Sequence, residues 1–195
     1  MINATALDRH VEQLFDVLRR LHTALTNAGI DYRIVGGMGV FLQVSERDPL
    51  AARLTRDLDV AVHRADLNRI AKAVSEFGFQ YRHSAGVDML VDATQPKARS
   101  AIHFVFASER VHPDYLEAVP EFSKPNITEE GILLAPVPDL LRMKLTSFRL
   151  KDKVHVVDMD SVGLITPEIE ATLSAPLLQR LKQIREEERQ STGAE

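Results

Sequence analysis

Two carboxylates stand one residue apart in the segment Thr55-Arg56-Asp57-Leu58-Asp59-Val60. On a β-strand such residues point to the same face, about 6–7 Å apart along the backbone, so both side chains can converge on one hard cation. Mg²⁺ prefers oxygen ligands, typically one or two carboxylates together with substrate phosphates. Asp57 and Asp59, hereafter the acid pair, are therefore a candidate site for Mg²⁺ (or Mn²⁺) in phosphoryl or nucleotidyl transfer. The alternative is a solvated Asp-x-Asp on an exposed strand.

Two adjacent glycines directly follow an earlier strand-like segment, Ile34-Val35-Gly36-Gly37. Glycine allows the backbone to approach a phosphate closely, and the N-terminus of a following helix offers free N–H groups and a favourable dipole. The simpler interpretation is a tight turn from strand to helix. The ordered set of strand, glycine pair, helix, polar loop, acid pair and strand is rarer than any of its parts, and it favours nucleotide binding by Gly36 and Gly37.

The surrounding hydrophobic pattern predicts an α+β fold with a small mixed sheet and C-terminal helices. The predicted strands are 31–35, 58–62, 79–82, 87–91 and 102–106, with a further candidate at 131–135. The predicted helices are an N-terminal one that stops at Gly29, then 38–44, 66–77, 137–148, 152–162 and 176–189, with a polar loop over 45–56. The irregular, proline-bearing stretch 111–136 is the candidate boundary. We expect a core with its N-terminal helix over 1–136 and a helical part over 137–195, packed together as one compact unit.

Composition excludes several classes of protein. The chain has 195 residues and no cysteine, which rules out disulfide scaffolds, thiolate zinc sites and cysteine nucleophiles. The net charge of −4 does not indicate a global electrostatic grip on nucleic acid, although a local basic patch is compatible with it. The sequence has no apolar run of membrane-spanning length and no secretory signal pattern, so we expect a cytoplasmic protein without a membrane segment.

Taken together, these motifs resemble the nucleotidyltransferase superfamily of the polymerase-β type, and most of all its minimal bacterial members, which include abortive-infection toxin-like enzymes. Gly36, Gly37, Asp57 and Asp59 occupy the positions of that family's glycine turn and metal-binding acids, and Thr55 matches its lead-in to the acids. The resemblance covers about residues 30–160. It implies an enzyme that binds an NTP with two divalent cations and transfers NMP to a hydroxyl of a tRNA end, a protein or a small molecule.

A second patch supports the resemblance. The segment 139–152 is similar to the family's helical stretch that carries a Lys and an Arg/Lys-Asp step, which assigns Lys144 to nucleotide binding. Lys144 and Lys151 are seven residues apart, so we expect them to share one helix face with Ser147, either as phosphate contacts or as a solvated face. Arg56, beside the acid pair, is a candidate salt-bridge partner or triphosphate clamp.

The chain also departs from the family pattern. Many members carry a third acid on a later strand, where this chain has His103, which is either a general base or an ordinary strand histidine. A further acid often follows the Lys-Asp step, where this chain has His155, with Asp158 three residues beyond.

These departures leave a second hypothesis, a catalytically weakened module that acts through a protein partner, as in a toxin–antitoxin pair. Retention of Asp57 and Asp59 argues against it, because an acid pair without a cation is a local repulsion.

Overall fold

The computed structural model describes residues 4–55, 57–93 and 101–192, which form the predicted α+β fold. The strands are β1 (Tyr32–Val35), β2 (Leu58–Val62), β3 (Phe79–Ser84), β4 (Val87–Asp92), β5 (Ile102–Phe106), β6 (Asn126–Ile127) and β7 (Leu133–Leu134). The helices are α1 (Ala4–Asn27), α2 (Gly36–Arg47), α3 (Leu67–Ala73), α4 (Val137–Ser147), α5 (Leu150–Ser161), α6 (Pro167–Glu170) and α7 (Ala175–Thr192). Within those three ranges, none of the helices has the length and apolar character needed to cross a membrane.

The seven strands form one mixed sheet in the order β3-β4-β5-β2-β1-β7-β6. Strand β2 pairs antiparallel with β1 and parallel with β5, so it lies in the middle of the sheet. In this register Asp59 lies opposite Val35 of β1 and opposite His103 of β5. The middle strand therefore brings the acid pair beside the end of β1, where the glycine pair begins.

Different helices cover the two faces of the sheet. Ile34 and Val60 point into a core cluster formed with α1 and α3, whereas Val35 and Ala61 belong to a second cluster formed with α4, α5 and α7. Side chains two residues apart on a strand share a face, so Asp59 points toward the second cluster. The candidate site thus lies between the sheet and the C-terminal helices.

The glycine pair forms the first turn of α2, which corrects the prediction of a break followed by a helix over 38–44. The helix begins at Gly36 and continues to Arg47. Gly36 has a φ of +67°, which turns the chain from β1 straight into the helix. At the other end, buried Val44 keeps the helix on the second cluster, so the loop predicted from residue 45 starts only after Arg47.

The strand predicted at 131–135 is the shorter β7, which pairs parallel with β1 and antiparallel with β6. Strand β6 was not predicted from the sequence. Strands of two residues are too short for an alternating hydrophobic pattern to be recognised.

A sharp turn separates α4 from α5. Phe148 has a φ of +51° and ends α4, and α5 begins at Leu150. The prediction that Lys144 and Lys151 share one helix face with Ser147 is therefore wrong, because Lys151 lies on α5. The two lysines still line a common cavity, since α5 packs back against α4.

Candidate active site

The acid pair lies at the start of β2, on either side of its first residue. Asp57 is largely exposed and Asp59 mostly buried, with side-chain exposures of 52% and 31%. The backbone N–H of Asp57 donates to Thr55 Oγ1 at 3.3 Å, which shapes the turn into the strand. Burial raises the pKa of the Asp59 carboxyl above its ordinary value, and the charges of Lys144 and His103 oppose this effect. Because burial disfavours the charge of Asp59, a cation bound beside it would be stabilising.

The glycine pair packs directly against this turn and strand. A Cβ on Gly36 would lie 2.8 Å from Cβ and Cγ of Asp59, and a Cβ on Gly37 would lie 2.6 Å from Thr55 Oγ1. Ordinary contacts between carbon atoms are about 3.5–4.0 Å, so this close approach requires glycine at both positions. Val35, the residue before α2, makes no side-chain cap, which leaves the first backbone N–H groups of the helix for a ligand.

A fully buried carboxylate, Asp152, holds the cationic side chains of the site. It accepts hydrogen bonds from Lys144 Nζ at 3.1 Å, Ser147 Oγ at 2.8 Å and Arg149 Nε at 2.7 Å. Burial alone would raise the pKa of Asp152, but the hydrogen bond from Arg149 and the charge of Lys144 lower it to about 2. Burial lowers the pKa of Lys144, and the Asp152 carboxylate partly offsets this.

A second cation approaches from α5. Lys151 Nζ lies 3.4 Å from Asp57 Oδ2, and about half of each side chain is exposed. Water screens such a pair, so the contact adds little to stability. It places an ammonium group at the exposed edge of the acid pair, where a phosphate chain bound to the pair would also lie.

Two cavities adjoin at the acid pair. Five residues line both of them: Asp57, Asp59, Lys144, Arg149 and Lys151. The first, of about 420 Å³, adds Gly37, Arg53 and Thr55, and is hereafter the cationic cavity. The second, of about 360 Å³, extends along the sheet to Val87, Val105, Tyr115, Val119 and Met143 and also adjoins His103; it is hereafter the apolar cavity. Both volumes suit small-molecule ligands.

His103 and His155, the histidines at positions where the family that the motifs resemble often carries acids, line different cavities. His103 borders the apolar cavity, with its Nδ1 atom 3.7 Å from Asp59 Oδ1. His155 lines the cationic cavity, and its buried Nδ1 atom makes no hydrogen bond. Burial and the charge of Lys144 lower the pKa of His155 to about 4, so it is neutral at physiological pH. His103 is therefore the one of the two that a hydroxyl in the apolar cavity could reach.

Asp158, the acid beyond His155, does not line either cavity. It is buried and paired with Arg53, whose Nε lies 2.9 Å from its Oδ1. This pair brings Arg53 to the wall of the cationic cavity, and nothing in the local sequence around Arg53 signals the contact. Arg56, the other candidate clamp, lies outside the described residues.

The wall of the apolar cavity was also missed from sequence. It comes partly from the segment 109–119, most of which lies in the stretch 111–136 that was interpreted only as an irregular boundary. Two backbone hydrogen bonds close this segment at its base, from Ser108 N to Val119 O at 2.9 Å and from Val119 N to Glu109 O at 2.8 Å. It is hereafter the 109–119 loop. Its residues line the same cavity as His103 of β5.

The donor set of the acid pair fits a hard divalent cation. Over the described ranges, no group of three or more His, Cys, Asp or Glu residues could by itself hold a metal ion. Mg²⁺ in phosphoryl-transfer sites commonly takes one or two protein carboxylates and completes its shell with substrate phosphates and water. Asp57 and Asp59 provide those carboxylates, and the cationic side chains beside them would accommodate the phosphates.

Comparison with known proteins finds similarity at the level of structure. No protein-family model matches the chain, and no curated protein sequence matches it. The solution structure of the antibiotic-resistance factor ANT(2'')-Ia matches with a TM-score of 0.54 and 10% sequence identity, over 94% of this chain and 95% of that one. The crystal structure of ANT(2'')-Ia in complex with adenylyl-2''-tobramycin matches with a TM-score of 0.54 and 10% identity, over 88% of this chain and 98% of that one. The chain and ANT(2'')-Ia therefore share a fold.

Proposed function

We propose that this chain is a nucleotidyltransferase, which moves a nucleoside monophosphate from an NTP to a hydroxyl group and releases pyrophosphate. Its motifs resemble the polymerase-β type nucleotidyltransferase superfamily, and within that superfamily we assign the chain to the minimal bacterial type. The fold it shares with ANT(2'')-Ia supports the reaction class, since that protein was crystallised with an adenylylated compound, adenylyl-2''-tobramycin.

One observation carries the proposal, namely the contact between the glycine pair and the acid pair. Gly36 abuts Asp59 and Gly37 abuts Thr55 so closely that no side chain fits between them. An anion at the N-terminus of α2 is thereby brought within reach of a cation held by Asp59. The geometry suits a triphosphate bound by backbone N–H groups at one end and by a divalent cation at the other.

Each side chain of the site has a part in this reaction. Asp57 and Asp59 would hold two Mg²⁺ (or Mn²⁺) ions, which neutralise the triphosphate and align the attacking and leaving oxygens. Lys144, fixed by Asp152, and the more exposed Lys151 would bind the phosphate oxygens and stabilise the charge that develops on pyrophosphate.

The transfer step itself takes place beside the apolar cavity. The acceptor hydroxyl oxygen bonds to the α-phosphorus, and the bond from that phosphorus to the bridging oxygen breaks. Pyrophosphate leaves with the electron pair, and the hydroxyl proton passes to His103, acting as general base. The Nδ1 atom of His103 faces Asp59, so Nε2 is the atom that would take the proton.

Calorimetric titration with each of the four NTPs, with and without Mg²⁺, tests the proposal. We expect Mg²⁺-dependent binding by the wild type and none by the double variant Asp57→Asn/Asp59→Asn. Asp16→Asn, which removes an exposed carboxylate from α1, is the matched control and should bind as the wild type does. Mg²⁺-dependent binding that survives in the double variant would exclude the acid pair as the metal site.

The alternative, a weakened module that acts through a protein partner, is favoured by one feature, the histidine in place of the third acid. The two proposals differ in the effect of His103→Ala on slow pyrophosphate release from NTP with water as acceptor. A general base predicts at least a tenfold loss of this rate with nucleotide affinity kept. A partner-binding module predicts no pyrophosphate release by the wild type either, and a pull-down would then replace the assay.

A further inference from the structure

The apolar cavity has one charged end and one apolar wall. The charged end is the acid pair with its neighbouring cations, and the wall runs away from it between β5, α4 and the 109–119 loop. Val105 lines it from the sheet, Met143 from α4, and Val111, Tyr115 and Val119 from the loop. Val111 is more than half exposed, so the apolar surface continues to the mouth of the cavity.

We propose that the acceptor of this site is a compact alcohol whose hydroxyl is carried on an uncharged apolar or aromatic body. This inference rests on the proposed function and names its substrate class. The body lies against Val105, Val111 and Met143, and the hydroxyl points toward His103 and the acid pair. A cavity of about 360 Å³ accommodates such a body whole, as is usual for small-molecule sites.

The charge of the segment beside the apolar cavity disfavours a nucleic-acid acceptor. The segment 109–121 contains four carboxylates, Glu109, Asp114, Glu117 and Glu121, against one cationic side chain, Arg110. Arg64 neutralises Glu109 through an ion pair, which leaves three carboxylates against one cation. Proteins that bind RNA or DNA obtain most of their affinity from cationic contacts with phosphates. An RNA end entering past this loop would meet like charge, and the chain as a whole is also acidic, with a net charge of −4.

The wall itself disfavours a polycationic acceptor. Three carboxylates line the apolar cavity: Asp57, Asp59 and Glu117. Divalent cations bound to the acid pair would neutralise the first two, which leaves Glu117. It is half-buried and already accepts a hydrogen bond from Ser174 Oγ at 2.5 Å. A sugar with several ammonium groups would have to leave most of them unpaired against valine and methionine, which is costly when charged groups lose water.

Binding of a simple aryl alcohol tests the proposal. We would titrate 2-naphthylmethanol, tobramycin and the RNA tetramer ACCA into the protein by calorimetry, each with and without saturating Mg²⁺ and ATP. We expect the aryl alcohol to bind and the other two to bind at least tenfold more weakly. Val111→Asp should weaken the binding of the aryl alcohol about tenfold, because an apolar contact is replaced by a charge. Ile127→Asp, which changes an exposed apolar residue on β6, should leave it unchanged.

Two results would overturn the proposal: tobramycin or the RNA binding as tightly as the aryl alcohol, or the aryl alcohol binding equally well to wild type and Val111→Asp. Failure of the proposed function is seen separately, as the lack of Mg²⁺-dependent binding by any NTP in the titrations above. Val111 is not among the residues that line the cationic cavity, so we expect Val111→Asp to bind Mg²⁺ and NTP normally. That measurement also shows that the variant is folded.

Discussion

Replacement of Gly36 by alanine tests the contact on which the proposed function depends. The new Cβ would lie 2.8 Å from Cβ and Cγ of Asp59 and closer still to its Oδ2. Carbon atoms in contact are normally about 3.5–4.0 Å apart, so β2 and α2 must separate by about 1 Å. A change of rotamer at Asp59 cannot relieve the clash, because its Cβ atom is itself one of the contacts.

The expected magnitudes follow from that displacement. Oxygen atoms bind Mg²⁺ at about 2.0–2.1 Å in near-ideal octahedral geometry, so a shift of about 1 Å removes Asp59 as a ligand. Loss of groups that only orient metal ligands typically costs about 10–100-fold in metal affinity, and loss of a ligand should cost at least as much. The overpacking itself should lower the free energy of unfolding by about 1–3 kcal/mol.

A second glycine provides the control. Gly163 has a φ of +72°, close to the +67° of Gly36, but a Cβ there would meet no atom within 4 Å. In both alanine variants the left-handed backbone conformation should lower the free energy of unfolding by about 1–2 kcal/mol. Only Gly36→Ala adds the clash with Asp59. Urea unfolding without ligand and calorimetry with Mg²⁺ and NTP give the two readouts. The reasoning is refuted if Gly36→Ala binds within twofold of wild type, or if Gly163→Ala weakens binding equally.

Three further predictions concern buried groups near the site. The pKa of His155 is about 4 in the folded chain and about 6.5 in the unfolded chain, so the unfolded state binds more protons between these pH values. The free energy of unfolding should therefore fall by about 2 kcal/mol from pH 7.5 to pH 5. Urea unfolding at each pH measures this change, and His155→Gln should remove most of it. Asp152→Asn leaves Lys144 buried without its counter-charge and should lower the free energy of unfolding by about 3 kcal/mol in the same measurement. Asp160→Asn removes a carboxylate from a more exposed ion pair and should lower it by about 1 kcal/mol. Equal losses in the two variants would contradict the role of burial. Thr146 has a buried Oγ1 atom without a hydrogen-bond partner, so Thr146→Val should raise the free energy of unfolding by about 1 kcal/mol, and a decrease would mean that the hydroxyl is paired after all.

Local patterns were sufficient for the strands that build the centre of the sheet. Predicted strands 58–62 and 102–106 coincide with β2 and β5, because each is a short apolar run bounded by polar residues. The α+β fold class follows from the same patterns and is confirmed. The predicted helices 137–148 and 152–162 anticipated a break between α4 and α5, but not that α5 turns back against α4, because this depends on a left-handed Phe148, a residue type that carries no turn signal.

Long-range pairing accounts for most of what the sequence did not reveal. Asp88, for example, is buried and accepts hydrogen bonds from Tyr81 and His83 on the paired strand β3. Arg53 and Asp158 meet across a separation of 105 residues in sequence. Such contacts are set by the packing of elements, and no spacing rule within a helix or strand contains them. The roles of the acid pair and Lys144 remain predictions that the titrations above will test.

The closure of the 109–119 loop at its base makes the proposed acceptor side separable from the proposed catalytic residues. Two backbone hydrogen bonds between residues 108, 109 and 119 hold the stem whatever side chains the loop carries. Residues within the loop can therefore be exchanged, or their number changed, while β5 and His103 stay in place. A library confined to positions 110–118 would vary which alcohol enters while the nucleotide side is left untouched. Under the proposed function, the fold would offer a scaffold on which new acceptors are selected while the residues around the acid pair are kept.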